Sequence, residues 1–187
     1  DEGGTVGIDG AVGGLSMIQD IHPIDDTGRG FSAHLADEAD TERAGAALAE
    51  GLVSGLVIYL VGDLGAGKTT LVRGCLRGLG HTGKVKSPTY TLIEPYVVSR
   101  LHLYHFDFYR FNVPEEFLEA GLEEYFSGSG ACLVEWPGKA EPYIANADIE
   151  VRLSVRAPGR DIEVEALTET GRRCVHIMMS TLQACPS

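Results

Sequence analysis

Residues 62–69 read G-D-L-G-A-G-K-T and form a complete G-x-x-x-x-G-K-[ST] phosphate-binding loop. An apolar, β-branched run at 56–61 precedes the loop, and apolar residues at helical spacing follow it. Glycines let such a loop curl so that successive backbone N–H groups point inward at a helix N-terminus, where anions are favoured. The strand–loop–helix context therefore predicts nucleoside triphosphate binding rather than a structural glycine-rich turn.

Two side chains of the loop add specific chemistry to these amides. Lys68 can reach the β- and γ-phosphates, and the hydroxyl of Thr69 can ligate Mg²⁺. We therefore predict that the loop binds a nucleoside triphosphate together with Mg²⁺. The predicted cofactor-binding residues of the loop are Asp63, Leu64, Gly65, Ala66, Gly67, Lys68, Thr69 and Thr70.

A second, acidic group is expected beside the loop, because an enzyme of this type must hold Mg²⁺ and orient the attacking water. Asp107 ends the run L-H-L-Y-H-F-D, and Glu135 ends the run A-C-L-V-E. The carboxyl ends of parallel strands meet at the ligand-binding edge of a sheet, so both residues are predicted to lie beside the loop. The alternative for each is a surface carboxylate that merely follows a strand.

The predicted catalytic set is thus Lys68, Asp107 and Glu135, and the predicted metal ligands are Thr69, Asp107 and Glu135. The sequence leaves open which carboxylate holds Mg²⁺ and which positions water. Trp136 directly follows Glu135 and is the only tryptophan. It is predicted to bind beside the nucleotide or a partner, with simple core filling as the alternative.

One threonine and two histidines near these strands are weaker candidates for the functional site. Thr89 lies in the segment Ser87-Pro88-Thr89, where many nucleoside triphosphatases place a hydroxyl that senses the γ-phosphate; a strand-edge threonine is the alternative. His102 and His105 lack a third ligand at suitable spacing and face opposite sides of a strand. Packed or hydrogen-bonded histidines are therefore favoured over a metal site.

Apolar periodicity predicts the helices that must position these residues. One amphipathic helix is expected from Asp37 to Leu52, with Asp40 or Thr41 available as its cap. The helix that follows the phosphate-binding loop should end near Gly78, since glycines favour helix C-termini.

Further along, an extended segment is predicted to enter a strand near 90–93, and a turn at 99–100 leads into the buried strand that ends at Asp107. The run Asn112-Val113-Pro114 is typical of a helix start. Alternating apolar residues between 149 and 164 predict an antiparallel β-hairpin with one polar face.

Together these elements predict the α/β class: a three-layer α/β/α arrangement like that of P-loop NTPases, with a mostly parallel central sheet and a C-terminal antiparallel β-hairpin. Residues 31–167 would form this P-loop ATPase domain. Residues 1–30 are rich in Gly and Asp and are interpreted as a flexible extension without an assigned role. Residues 168–187 would be a tail, in which 171–179 are candidates for one further strand.

Composition argues against two classes of protein. The 187 residues carry a formal net charge of −12, which disfavours nucleic-acid binding across the whole surface. No apolar run approaches the length of a membrane span, and no signal-peptide pattern begins the sequence. The four cysteines are scattered without a C-x-x-C pair, so we expect buried reduced thiols at Cys75 and Cys132, no disulfide partner and a cytoplasmic location.

Four sequence blocks, in this order and spacing, resemble one family. They are G-D-L-G-A-G-K-T-T, V-K-S-P-T-Y-T-L, H-F-D-x-Y-R at 105–110 and L-V-E-W-P at 133–137, and together they are similar to the bacterial TsaE family, formerly YjeE. The resemblance covers roughly residues 31–167. It implies a small ATPase needed to make N6-threonylcarbamoyladenosine at position 37 of tRNAs that read ANN codons.

The resemblance also implies partners. Members of the family bind the TsaB–TsaD heterodimer, and their ATP binding and hydrolysis support repeated turnover rather than the threonylcarbamoyl transfer itself. Contact with tRNA would then be indirect, through the complex. The segment 87–89 would be a switch-like loop.

Carried over motif by motif, the resemblance assigns roles to five residues. Lys68 and Thr69 would contact the triphosphate and Mg²⁺, and Asp107 and Glu135 would be the acidic catalytic pair. Trp136 would be a functionally sensitive neighbour. The implied cofactors are ATP and Mg²⁺.

Two other functional classes stay open at this point. A small-molecule kinase of the P-loop type would usually carry an arginine-rich lid, and basic residues are sparse here. A nucleotide-sensing scaffold would bind nucleotide with negligible hydrolysis. The leading prediction is a Mg²⁺-dependent ATPase that is weak alone and gated by its partners.

Overall fold

A single mixed sheet, flanked by helices, organises the part of the chain that the computed structural model describes, which is residues 18, 20–98 and 100–184. Its eight strands follow the order β1-β2-β8-β7-β3-β6-β5-β4. The strands are β1 (His22–Pro23), β2 (Gly30–Leu35), β3 (Val57–Val61), β4 (Ile93–Val98), β5 (Leu101–Asp107), β6 (Ala131–Glu135), β7 (Ile149–Val155) and β8 (Arg160–Ala166). The helices are α1 (Glu38–Gly51), α2 (Lys68–Gly78), α3 (Glu116–Glu119) and α4 (Glu169–Gln183), with 3₁₀ turns at Leu122–Phe126 and Pro137–Ala140.

The centre of the sheet is parallel and its margins are antiparallel. Strand β3 pairs in parallel with β7 and β6, and β5 pairs in parallel with β6. The other four pairs are antiparallel. The predicted α/β class is confirmed, but the mostly parallel sheet holds only for these four central strands. At one margin the C-terminal hairpin joins the main sheet through β7, so β8 adds antiparallel pairing, and at the other margin β4 pairs antiparallel with β5.

Two apolar clusters lie on opposite faces of the sheet. On one face, residues of α1, α2 and α4, such as Leu48, Leu71 and Met178, pack against the central strands. On the other face, an aromatic cluster that includes Phe106 and Phe108 packs beneath α3 and the 3₁₀ turns. The sheet therefore has helical layers on both sides at its centre. Over β2, β7 and β8, the second face instead lines an open polar groove of about 870 Å³.

Helix α1 begins one residue after Asp37, whose side chain accepts a hydrogen bond from the backbone N–H of Asp40 at 2.8 Å. The predicted cap, Asp40 or Thr41, is therefore wrong by three or four residues. Asp40 is buried in the first turn, where its carboxylate accepts a hydrogen bond from the backbone of Ala36 at 3.0 Å. Asp37 is the residue with the extended backbone that an N-cap requires.

The hairpin predicted over the C-terminal third is confirmed as β7 and β8, but the strand predicted at 171–179 is wrong, because these residues belong to α4. The side chain of Thr168 caps this helix by accepting a hydrogen bond from the backbone N–H of Gly171 at 3.1 Å. Helix α4 packs closely on α1, since a Cβ on Gly51 would lie 2.7 Å from the carbonyl oxygen of Cys174. Its buried residues recur at helical spacing and are Gly171, Cys174, Val175, Met178 and Leu182.

The extension predicted at residues 1–30 is structured where it meets the domain. Strand β1 pairs with β2, and β2 itself begins at Gly30. The domain therefore begins before residue 31. Residues 1–17 and 19, on which most of this prediction falls, lie outside the described residues.

Two elements between α2 and β6 have different bounds from those predicted. The helix predicted from 112–114 is reduced to α3, because Gly121, with φ of 66°, turns the chain before a 3₁₀ turn begins. The strand predicted near 90–93 begins only at Ile93, after the backbone N–H of Leu92 closes a turn on the carbonyl of Pro88 at 2.8 Å.

The structure bears on two predictions made from composition, which are the burial of the thiols and the lack of a membrane span. Cys75, Cys132 and Cys174 have buried free thiols, so the predicted burial of Cys75 and Cys132 is confirmed. Burial raises the pKa of the Cys132 thiol to about 12, which keeps the group protonated and unreactive. None of the helices formed by the described residues combines the length and apolarity needed to cross a membrane.

Helices α1 and α2 meet through backbone contact at two glycines. A Cβ on Gly45 would lie 2.1 Å from the carbonyl oxygen of Leu71, and a Cβ on Gly74 would lie 2.1 Å from that of Glu42. Because α2 starts at the phosphate-binding loop, this contact fixes how closely the helix that follows the loop approaches α1.

Gly74→Ala is expected to destabilise the protein by about 1–3 kcal/mol, the usual cost of over-packing, because the added methyl meets backbone atoms that cannot rotate away. Helix propensity alone would favour alanine by about 1 kcal/mol. A decrease in the free energy of unfolding would therefore report the close contact between Gly74 and the backbone of Glu42. Urea titration measures the free energy of unfolding. The matched control is Gly138→Ala, where nothing lies within 4 Å of the added Cβ. Equal effects of the two substitutions would contradict the packing argument.

Candidate nucleotide-binding site

The phosphate-binding loop joins the end of β3 to the start of α2. Gly67 directly precedes α2 with φ of 108°, in the left-handed region that favours glycine, and no side chain caps the helix. The first backbone N–H groups of a helix have no partner within it. Here this end of the helix adjoins the loop, as expected of an anion-binding helix terminus.

Lys68 is the buried cation of the site, with 5 % of its surface exposed. Its Nζ donates to the carbonyl oxygens of Gly62 and Asp63 and lies 4.3 Å from the centroid of the Trp136 ring. Burial lowers the pKa of Lys68, although nearby carboxylates, Glu135 above all, act in the opposite direction. The loop thus holds the ammonium group beside its own amides.

Asp107 and Glu135 lie opposite each other at the carboxyl ends of β5 and β6, where the sequence predicted them. Each has only 3 % of its surface exposed. The hydroxyl of Thr69 is 3.4 Å from Oε2 of Glu135, and Oδ1 of Asp107 accepts a hydrogen bond from the backbone of Tyr109 at 2.9 Å. The loop and both strand ends therefore converge.

These oxygen donors fit Mg²⁺. The cation prefers carboxylate, hydroxyl and water ligands and is usually bound through one or two carboxylates together with substrate phosphates. Thr69, Asp107 and Glu135 supply such donors beside the loop. Within the described residues, no group of three or more His, Cys, Asp or Glu is arranged to hold a metal. The donor set therefore suits a metal shared with phosphate rather than an all-protein cage.

Ser87 lies between the two carboxylates. Its Oγ is within hydrogen-bond distance of Oδ2 of Asp107 and lies 2.9 Å from Oε2 of Glu135. A hydroxyl carries one proton, so it donates to one of these carboxylates at a time. The sequence interpretation emphasised Thr89 instead. Thr89 also lines the crevice, and its backbone N–H donates to the carbonyl of Ser87 at 2.9 Å.

Glu135 is kept ionised by its neighbours. Burial by itself would raise the pKa of Glu135, but hydrogen bonds from His105 and Ser87 and the charge of Lys68 outweigh burial and lower it. Nε2 of His105 lies 2.6 Å from Oε2 of Glu135, and the histidine is fully buried. The favoured interpretation of His105 as a hydrogen-bonded histidine is confirmed.

Trp136 lies between the crevice and the core, and its predicted place beside a nucleotide or partner stays a prediction. It lines the crevice, and its ring lies 5.1 Å from that of Tyr109 and against the aromatic cluster of the second face. Its backbone has φ of 58°, which turns the chain sharply after Glu135. The ring therefore forms a wall between the crevice and the core.

Every residue that the sequence assigned to the site lines one crevice of about 400 Å³: the loop residues 63–70, Asp107, Glu135 and Trp136. The larger groove of about 870 Å³ shares part of the loop but lies on the polar face of β2, β7 and β8. Lys68 and both carboxylates line the smaller crevice and not the larger groove. Chemistry, not size, therefore identifies the site.

Sequence reasoning missed Arg160, which reaches the loop from the start of β8. Its Nη1 donates a hydrogen bond to the carbonyl of Ala66 at 3.0 Å, and the side chain lines the crevice. Glu38, the first residue of α1, lines the crevice as well and was also missed. A lone arginine after a Pro-Gly turn gives no local signal of a contact with a residue 94 positions away.

With the geometry described, comparison with known proteins identifies the family. A family model described as "Threonylcarbamoyl adenosine biosynthesis protein TsaE" matches residues 35–162, which contain the loop, both carboxylates and Arg160. The chain belongs to the TsaE family. The resemblance seen in the four sequence blocks is confirmed.

Relatives extend this assignment. A Haemophilus influenzae protein named "tRNA threonylcarbamoyladenosine biosynthesis protein TsaE" is 43 % identical over 150 residues, which is 78 % of this chain and 95 % of that protein. A Bacillus subtilis protein of the same name is 42 % identical over 119 residues, or 64 % of this chain and 73 % of that protein. The crystal structure of Bacillus subtilis YdiB aligns with a TM-score of 0.70 at 30 % identity, covering 81 % of this chain and 95 % of that one.

The charge of Glu135 should contribute to stability in a pH-dependent way. Its pKa is lowered in the folded protein, so the contribution is present above the ordinary value of 4.5 and is lost as the pH falls below 4.5. We expect the difference in unfolding free energy between wild type and Glu135→Gln to shrink on acidification below about pH 4.5. Urea titrations at a series of pH values measure it. A difference that grows on acidification would contradict the assigned charge state.

Proposed function

We propose that this chain binds and hydrolyses ATP with Mg²⁺, and that this activity serves synthesis of N6-threonylcarbamoyladenosine at position 37 of tRNA. The biosynthetic role is supported by membership of the family and by the names of its relatives. The single observation that carries the ATPase proposal is the convergence of Lys68, Thr69, Asp107 and Glu135 in one crevice at the N-terminus of α2.

Each of these groups has a role in the proposed reaction. The loop amides and Lys68 bind the β- and γ-phosphates, and Thr69 together with one carboxylate holds Mg²⁺. The other carboxylate orients the attacking water. ATP with Mg²⁺ supplies the transferable phosphoryl group, and the protein contributes position and electrostatic stabilisation.

Partner-gated turnover is supported by the segment that carries Ser87. Ser87 lies between the two carboxylates, and Tyr90 nearby has 81 % of its surface exposed beneath the guanidinium of Arg110. A partner that contacts this exposed aromatic can shift the segment, and with it the Ser87 hydroxyl. We assign this role to the TsaB–TsaD heterodimer and expect weak hydrolysis by the isolated chain.

Charge supports docking onto proteins rather than directly onto tRNA. The formal net charge of −12 would repel a phosphate backbone, because nucleic-acid affinity depends on neutralising phosphates with Lys and Arg. The tRNA would therefore be reached through the complex. The kinase alternative gains no support: within the described residues, Arg160 is the only arginine that lines the crevice.

Lys68→Ala is expected to abolish ATP hydrolysis, because it removes the cation that contacts the transferred phosphate. Hydrolysis is measured as phosphate release by the chain alone and with TsaB and TsaD, where the wild type should be faster. Lys84→Ala, an exposed lysine after α2, is the matched control and should behave as wild type.

The same variants separate the alternatives in cells. In cells depleted of their own TsaE-family protein, the wild type should restore N6-threonylcarbamoyladenosine in tRNA, and Lys68→Ala should not. If Glu135→Gln restores the modification fully, nucleotide binding alone suffices and the scaffold alternative is correct. Strong hydrolysis retained by Lys68→Ala would overturn the assignment of ATP hydrolysis to this crevice.

Arg160→Ala is expected to weaken the affinity for a non-hydrolysable ATP analogue by roughly tenfold, since the side chain supports the loop carbonyl of Ala66 and adds positive charge to the crevice. Isothermal titration calorimetry measures the affinity. The matched control is Arg156→Ala on the same hairpin. The Arg156 side chain forms an ion pair with Asp161 at 2.8 Å and does not line this crevice. Equal losses in both variants would count against a role for Arg160 in binding.

A further inference from the structure

His105 is a polar side chain near the carboxyl end of β5, two residues before Asp107. It is fully buried, on the same face of the strand as Leu101 and Leu103, which belong to the core beneath α1 and α2. Burying an imidazole there is costly unless its nitrogens are satisfied. The hydrogen bond between its Nε2 and Oε2 of Glu135, at 2.6 Å, provides one partner.

The surroundings of the two ring nitrogens determine the tautomer. Nδ1 of His105 is buried and finds no hydrogen-bond partner among the described residues. An ionised carboxylate only accepts hydrogen bonds, so Nε2 must carry the proton that it donates to Glu135. Nδ1 is then the bare acceptor nitrogen, which avoids burying a second N–H without a partner.

This bond constrains how Glu135 faces the crevice. Oε2 is held by His105 and Ser87, and the hydroxyl of Thr69 lies 3.4 Å from this same oxygen and 3.5 Å from Oε1. Without the imidazole, the carboxylate would lose its closest donor in a buried position and could rotate away from Thr69.

We propose that His105 is a positioning residue that orients Glu135 toward Thr69 by donating its Nε2–H to Oε2. The inference rests on the proposed ATPase function of the crevice. His105 is fully buried and does not line the crevice, so it would act only through Glu135. Outer-shell partners of this kind typically contribute about 10–100-fold in metal affinity or activity.

The tautomer can be tested without any catalytic assay. Long-range ¹H–¹⁵N spectra of the nucleotide-free protein with ¹⁵N-labelled histidine distinguish a protonated Nε2 from a protonated Nδ1, and loss of one signal set in His105→Gln assigns the residue among six histidines. We expect a proton on Nε2 of His105. A ring whose Nε2 lacks a proton would overturn the proposal, whether or not the chain hydrolyses ATP.

Two substitutions test the effect on Glu135. The amide nitrogen of glutamine can reach the position of Nε2, whereas that of asparagine ends near the position of Nδ1 and falls short of Glu135. In the complex with TsaB and TsaD, we expect His105→Gln to keep kcat within about threefold and His105→Asn to lose about 10–100-fold. The affinity of either variant for a non-hydrolysable ATP analogue should change less than about twofold, because the loop binds the phosphates.

The controls keep the outcomes distinct. Thermal unfolding of both variants shows whether a loss of kcat reflects a loss of fold. Equal kcat values for His105→Asn and His105→Gln, or losses that only follow the thermal midpoint, would overturn the positioning role. Absence of hydrolysis in the wild type would defeat the proposed function instead, and the tautomer measurement would still decide the state of His105.

Discussion

The parallel register between β5 and β6 is the constraint on which the site depends. It places Asp107 directly opposite Glu135 at the carboxyl ends of both strands. A shift of one residue would turn either carboxylate to the opposite face of the sheet, away from α2. Strand β6 is buried along its whole length, and β5 packs apolar side chains on both faces, so a shifted register would expose or misplace core residues. The packing of the core therefore specifies the geometry of the acidic pair.

The charged groups of the site are buried, and the cost of burying each one is offset by its charged and hydrogen-bonding neighbours. Lys68 is buried near two buried carboxylates, and hydrogen bonds from His105 and Ser87 support the ionised form of Glu135. Removing one member leaves another charge buried with fewer partners, which is far more costly than never burying it. The close glycine contact between α1 and α2 adds a steric constraint, because it positions the helix that begins with Lys68. Packing and electrostatics thus act on the same few residues.

Local patterns predicted a large part of this arrangement. The strand–loop–helix unit, the strands that end at Asp107 and Glu135, and the C-terminal hairpin all form as expected, because each has a periodicity or turn chemistry that needs no distant contact. The strand predicted at 171–179 was a misread local pattern, because the buried residues of this segment recur at helical spacing and Thr168 caps the helix. The parallel content of the sheet was misjudged for a different reason, which is that distant contacts decide it. The antiparallel strands β8, β2 and β1 belong to the main sheet because β7 pairs with β3, and no pattern within either strand specifies that neighbour.

The residue types and spacing of the four sequence blocks are enough to predict which residues line one crevice and to identify the family, since glycine, lysine and carboxylate at set positions have few other uses. Three contacts emerge only from the folded chain: Ser87 between the carboxylates, His105 on Glu135, and Arg160 on the loop carbonyl. They join residues 48, 30 and 94 positions apart. Strand register and hairpin placement decide such contacts, because a hydrogen bond needs two groups within about 3 Å and local periodicity sets only which face a residue occupies.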